Sequence, residues 1–199
     1  MIVIDGFIKN KKVLDVFKSE DTWKGFPVYN WWDGWWNIKP RNIMETIIHT
    51  AWQNIPQIDK AAGFEYWSNV HHENQSLGWH RDRDEQLFDS SNVLKTTTAG
   101  HVYYVTCENL EGGFLEIENN ERFDKIQYTD VERLKPVENR LIMFNPTLNH
   151  RVSKITKGKR RAFLANAWSE KPSTFKNGDN VNKNFEPVDW TNKNKVLEL

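Results

Sequence analysis

The sequence predicts a mainly β body behind a helical, aromatic front, and three observations predict it. Helical spacing of apolar residues is confined to the first 55 or so positions. After residue 63, short β-like runs alternate with turn signals. No βαβ alternation and no repeat at a solenoid period interrupts those runs, so they suggest a sandwich or barrel rather than a doubly wound sheet.

Taken in order, Ile2-Val3-Ile4 reads as a short strand closed by Asp5-Gly6. Residues 11–18 form a helix with Val13, Leu14, Val16 and Phe17 as its apolar positions. Residues 23–36 carry Trp23, Phe26, Tyr29, Trp31, Trp32, Trp35 and Trp36 among Gly25, Pro27 and Gly34, the pattern of a structured loop or ragged strand. A second helix is expected over about 41–54, with Pro40 as a first-turn proline, Ile43, Met44, Ile47, Ile48, Ala51 and Trp52 on its apolar face, and Pro56 ending it. Strands follow over 64–70, 77–82, 98–107, 113–118, 131–137, 140–144, 150–156 and 160–168. Gly112-Gly113, Asn119-Asn120, Asn145-Pro146 and Lys157-Gly158 supply the turns. From residue 171 the chain is rich in Asn and Lys and reads as a polar tail over 171–199, which Phe185, Val188 and Trp190 can pin to the body. The expectation is one domain over 1–170, with a helical, Trp-rich part about 1–60 and a β core about 61–170.

Composition narrows the function classes. Lys+Arg and Asp+Glu both number 27 in 199 residues, so the balanced charge makes no electrostatic case for nucleic acid. No apolar run approaches the roughly 18 residues of a membrane span, and Met1-Ile2-Val3-Ile4-Asp5-Gly6 lacks a secretory pattern. The single cysteine, Cys107, excludes an internal disulfide framework and reads as a small hydrophobe. Together these features place the expected location in the cytoplasm. Ten tryptophans are the oddity that composition leaves unexplained.

The chemistry concentrates at Leu77-Gly78-Trp79-His80-Arg81-Asp82. Alternate strand residues share a face, so His80 and Asp82 point one way and Arg81 the other. An imidazole beside a carboxylate is half of a facial metal site. His150, at the start of a strand after the Asn145-Pro146 turn, is the candidate second imidazole. Two His and one carboxylate on one face, with other positions open, define the non-haem Fe(II) oxygenase arrangement. Asp84 shares the parity of Asp82 and is the alternative carboxylate. His101 is a lesser candidate ligand, His71-His72 read as loop histidines, and Trp67 and Trp79 read as packing residues. Arg160 leads the apolar strand 162–168 and, if it points inward, needs an anionic partner such as a carboxylate. Arg161 adjoins it, and strand alternation lets only one of the two face inward.

As a set, His80-Arg81-Asp82, Gly112-Gly113, His150 and Gly158-Lys159-Arg160 resemble the iron(II)- and 2-oxoglutarate-dependent dioxygenases over about residues 64–168. Tyr103-Tyr104-Val105-Thr106 ahead of Gly112-Gly113 is similar to the prolyl-hydroxylase-like branch. The resemblance implies a double-stranded β-helix, a jelly-roll or cupin-like core. It implies Fe(II) on His80, Asp82 and His150, which are also the catalytic set, and 2-oxoglutarate as cosubstrate with O2. Ascorbate is the accompanying reductant. Arg160 and Tyr104 would hold the distal carboxylate of 2-oxoglutarate; the Gly-x-Arg spacing favours Arg160 over Arg161. Strand parity then puts Asn166 and Trp168 on the site face, and Trp168 joins the cofactor-binding candidates.

The implied activity is hydroxylation of a substrate C–H bond with release of succinate and CO2. Prolyl or another protein side chain is the first substrate expectation, and a small metabolite or free amino acid the alternative. Nucleic acid is disfavoured and no membrane partner is expected. Two other classes stay open: a β-helix binding module without turnover, and an interaction protein built on the N-terminal aromatics.

Overall fold

A computed structural model describes residues 1–97, 99–119 and 130–175. The front consists of β1 (Ile2–Asp5), α1 (Lys11–Lys18), α2 (Glu20–Trp23), β2 (Asn30–Trp32) and α3 (Ile43–Trp52). The body follows as β3 (Gly63–His72), β4 (Leu77–His80), α4 (Glu85–Ser91), β5 (Ala99–Gly112), β6 (Leu115–Glu118), β7 (Val131–Leu134), β8 (Arg140–Phe144), β9 (His150–Val152) and β10 (Ile155–Trp168). Ten antiparallel strands form two sheets, a six-stranded one in the order β1-β8-β5-β10-β3-β2 and a four-stranded one in the order β4-β9-β6-β7. The two layers make the expected double-stranded β-helix. Both front strands lie at the edges of the larger sheet, so the front is part of that sheet and not only a cover over it.

Several expected boundaries move for local reasons. The second helix begins at Ile43 because the Asn42 side chain caps it, accepting from Glu45 N at 2.9 Å. Pro40 therefore lies outside the first turn. Glu45 is fully buried and returns the favour, taking Arg41 N at 2.7 Å, the Arg41 guanidinium, and the Tyr66 hydroxyl at 3.1 Å, which ties α3 to β3. The 77–82 strand stops at His80, and the segment beyond it turns into α4, whose N-cap is Asp84. The sequence gives α4 little apolar periodicity, and none of its residues is buried. Within the tail, Ser173 donates through its backbone N and its hydroxyl to Asp84 Oδ2, at 2.7 and 2.8 Å. Phe185, Val188 and Trp190 lie outside the described residues.

The larger sheet has two unlike faces. One packs against the helices through Phe7, Phe17, Trp23, Trp32, Trp52 and Phe163, the main apolar core. The other faces the smaller sheet, its Val102, Tyr104 and Phe144 meeting Leu115 and Ile117 of β6. Most of the N-terminal tryptophan excess belongs to the first face: Trp23, Trp32 and Trp52 are buried, and Trp35 and Trp36 pack beside them. Each such side chain contributes on the order of 2–3 kcal/mol of burial. Trp31 differs, meeting Phe175 of the C-terminal segment at a ring distance of 5.8 Å. Among the described residues no helix is long and apolar enough to cross a membrane.

Candidate active site

The two sheets enclose a cavity of about 490 Å³. His80 on β4 and His150 on β9 are direct cross-strand partners, which sets their rings 4.3 Å apart. Asp82 lies just past the end of β4, held by its backbone N on Pro146 O at 3.1 Å. Its Oδ1 stands 3.6 Å from Nε2 of His80 and 3.6 Å from Nε2 of His150. One ligand atom from each of the three lies within 4.8 Å of the others. Cis ligands about 2.1 Å from an octahedral ion sit roughly 3 Å apart, so only a small closing is needed to hold one.

The surrounding bonds orient this set. His80 Nδ1 pairs with Gly78 O at 2.8 Å and His150 Nδ1 with Leu148 O at 2.9 Å. Both bonds place the N–H on Nδ1 and leave the Nε2 lone pairs facing Asp82. Asp82 uses its other oxygen, Oδ2, to accept from Asn166 Nδ2 at 2.8 Å. Burial, chiefly, lowers the His150 pKa; Asp82 opposes this and His80 adds to it. A neutral imidazole is the ligating form. Asp84 is not available as the carboxylate, because its oxygens serve Leu87 N and Ser173.

A second polar group lies farther along β10. Arg160 is 3% exposed, and its Nε and Nη1 have no hydrogen-bond partner among the described residues. Beside it the buried Tyr104 hydroxyl is also unpartnered, with the guanidinium 5.2 Å from the ring centre. His71, opposite Arg160 in the β3–β10 register, adds an unpartnered buried Nδ1. Burial, then the charge of Arg160, pushes the His71 pKa down to about 4, so it is neutral. Buried donors without acceptors are costly. A guanidinium, a phenol and an imidazole lining the same cavity have the chemistry of a carboxylate cradle. Gly113 leaves room there, since a Cβ on it would meet Ile155 Cγ1 at 2.9 Å and Arg160 Nε at 3.6 Å, and its φ of +67° favours glycine in any case.

Arg161 points the other way. It bonds Glu20 Oε2 at 2.8 Å and lies over the Trp23 ring at 5.2 Å. Arg151, Lys157 and Lys159 are likewise paired, to Glu116, Glu111 and Glu108. Trp168 borders the same cavity as Arg160, at the far end of β10, and its indole donates to Glu65 Oε2 at 3.0 Å.

Other expectations change. His101 takes the indole proton of Trp52 on Nδ1 at 2.9 Å and belongs to the helix-side core. His71 is a strand residue in the cavity wall, because β3 runs to His72, and Trp67 lines the cavity too. The alternating set Glu65, Trp67, Asn69 and His71 forms one wall, a period-2 pattern present in the sequence but mixed in polarity. Gly100 was not singled out. A Cβ there would lie 2.2 Å from Asn166 Oδ1, so the glycine makes room for the residue that holds Asp82.

The profile of the 2OG-Fe(II) oxygenase superfamily matches residues 66–169, and the chain belongs to that superfamily, whose cofactors are Fe(II) and 2-oxoglutarate. No curated protein matches the sequence. Among solved structures, the viral collagen prolyl hydroxylase vCPH from Paramecium Bursaria Chlorella virus-1, in its 2OG complex, aligns at 15% identity and a TM-score of 0.51, over 83% of this chain and 93% of that one. A prolyl hydroxylase from Trichoplax adhaerens, in complex with a hypoxia inducible factor peptide fragment, aligns at 13% identity and a TM-score of 0.51, over 83% and 82%. A Burkholderia pseudomallei oxidoreductase of the 2OG-Fe(II) oxygenase family aligns over 54% of this chain and 42% of that one, at 13% identity and a TM-score of 0.39. The first two share the double-stranded β-helix fold.

Proposed function

We propose that the protein is a hydroxylase that couples oxidation of 2-oxoglutarate to succinate and CO2 with hydroxylation of a substrate C–H bond. The observation that carries the reading is the pairing of two incomplete groups in one cavity: a His80/Asp82/His150 donor set and a buried, unpartnered Arg160. A binding module has no need for both. Fe(II) on the triad, with 2-oxoglutarate, supplies the oxidising chemistry when bound.

The chain's own residues do the rest. His80 and His150 present Nε2 because their Nδ1 protons are given to backbone carbonyls. Asn166 holds Asp82 so that Oδ1 stays on the triad. Arg160, Tyr104 and His71 bind a carboxylate at the closed end, which fixes where the other end of a dicarboxylate lies. Val102, Leu115, Phe144 and Leu164 keep that end apolar. Residues 1–60 serve as a scaffold through β1, β2 and α3.

The substrate is a small molecule or a protein side chain admitted beside Tyr29, Trp67 and Thr174. Tyr103 turns to the helix side and bonds Asn139 Oδ1 at 2.9 Å, which leaves Tyr104 as the tyrosine of the pair that faces the cavity, the position the resemblance implies. The test is succinate release by purified protein with Fe(II), ascorbate and 2-oxoglutarate over a panel of candidate substrates. Release that disappears in His80→Ala is expected. Release no greater than that of the variant across the panel overturns the reading.

A further inference from the structure

The cavity wall contains a carboxylate that the proposed chemistry does not use. Glu65 sits on β3 directly opposite Asn166 of β10, the residue that holds Asp82. Neighbouring strands are about 4.8 Å apart, so Glu65 lies close to the metal end of the cavity and away from Arg160. Its one hydrogen-bond donor among the described residues is the Trp168 indole, on Oε2. It has no cationic partner among them.

The charges lining the cavity leave Glu65 alone. Asp82 belongs to the metal set. Asp84 caps α4 and binds Ser173. Glu85 pairs with Arg83 at 2.9 Å, and Arg83 also lies over the Phe88 ring at 3.6 Å. Arg81 borders the cavity as well and is engaged in a contact of its own. Fe(II) with Asp82, and 2-oxoglutarate with Arg160, together carry no net charge. Glu65 then adds an ionisable carboxyl with no cationic partner among the described residues. Burial raises the Glu65 carboxyl to about 7, with smaller contributions from Asp82 and Asp84 against the indole bond that lowers it. Next to it, Tyr29 and Trp67 line the cavity with their rings 6.0 Å apart, and such faces attract an organic cation.

We propose that Glu65 is the recognition residue for a substrate carrying an ammonium group, seated between the Glu65 carboxylate and the Tyr29 and Trp67 rings, with the oxidised carbon a few bonds from that group. The proposal rests on the dioxygenase reading and narrows it to amine-bearing substrates. A prolyl residue inside a peptide, whose nitrogen is an uncharged amide, does not satisfy Glu65. A charged amine does, and its N–H donors fill the oxygen that Trp168 leaves free.

The test uses protein loaded with Mn(II) and 2-oxoglutarate and two matched probes, cyclohexylammonium and cyclohexanol, followed by ligand-observed NMR. The ammonium should bind about tenfold tighter or more, the range of one charge-assisted hydrogen bond. Its ring protons should show the manganese-induced relaxation. Glu65→Gln keeps a carbonyl acceptor for Trp168 and should bind the two probes alike. Trp168→Phe keeps the carboxylate and should retain the preference. Equal binding of the two probes to the unsubstituted protein overturns the proposal, as does an unchanged preference in Glu65→Gln. If Glu65→Gln does not fold, the ratio in the unsubstituted protein decides. Failure to take up both Mn(II) and 2-oxoglutarate overturns the dioxygenase reading instead, and the ammonium preference is then read on metal-free protein, where Glu65 is unchanged.

Discussion

Arg160 and Arg161 are neighbours of the same type on one strand, and the two faces of the larger sheet treat them in opposite ways. On the helix face Arg161 has a carboxylate and an indole ring, and Glu45, Trp52 and Tyr103 on that side have partners, while the neutral His101 leaves only its Nε2 unpartnered. On the cavity face Arg160 is more deeply buried yet keeps two nitrogens unpartnered, in company with Tyr104 and His71. Folding alone does not favour that second arrangement, since an unpaired buried charge costs several kcal/mol. The difference separates polar groups that hold the fold together from polar groups kept open for a ligand.

The largest effect expected from breaking this contrast is at Arg160. Replacing it with Met should lower 2-oxoglutarate affinity by about 30-fold or more, corresponding to ~2–5 kcal/mol for a buried charge pair. The same substitution removes an uncompensated charge, so thermal unfolding of the metal-free protein should move up by a few degrees. Next, Asn166→Ala should weaken metal binding about 10- to 100-fold by freeing Asp82, measured by Mn(II) titration. The two tyrosines give a smaller, paired effect. Tyr104→Phe should raise the KM for 2-oxoglutarate several-fold, from the loss of ~1 kcal/mol, and leave stability alone. Tyr103→Phe should cost about 1 kcal/mol of stability in urea and leave the KM alone.

A pH dependence is expected on the helix face. Burial lowers His101 from its ordinary 6.5 to about 3. Between those values the unfolded chain binds a proton that the native state does not, so stability is full above pH 6.5 and falls as pH drops toward 3. The neutral His71 on the cavity face acts in the same direction from 6.5 toward 4. His101→Gln should reduce the fall of the urea midpoint between pH 7 and pH 5 by about half, the His71 share remaining, without changing 2-oxoglutarate binding.

The contrast also explains what the sequence could reveal. His80 and Asp82 were legible because strand alternation puts them on one face, and His150 and Arg160 because they fall where the family's motif order places them. The Gly-x-Arg spacing favours Arg160, and the structure pairs Arg161 on the opposite face with Glu20, 141 positions away in the chain. Asp82 was expected within a strand, yet it reaches the triad from a turn held by Pro146. Glu65, His71 and Gly100 stayed hidden because their roles depend on cross-strand register, which pairs β3 and β5 with β10. The Ile2-Val3-Ile4 strand was legible but its place at an edge of the larger sheet was not, and a three-residue strand such as Asn30-Trp31-Trp32 carries too little alternation to stand apart from a structured loop.

The central claim is that the cavity face keeps Arg160 open for the cosubstrate while the helix face uses Arg161 for structure. Calorimetric titration of 2-oxoglutarate into the Mn(II)-loaded protein, Arg160→Met and Arg161→Met tests it most directly. The account predicts that Arg161→Met binds within a few-fold of the unsubstituted protein, as expected for a surface ion pair worth at most ~1 kcal/mol, and that Arg160→Met loses about 30-fold or more. Equal binding by Arg160→Met, or a loss confined to Arg161→Met, would contradict it.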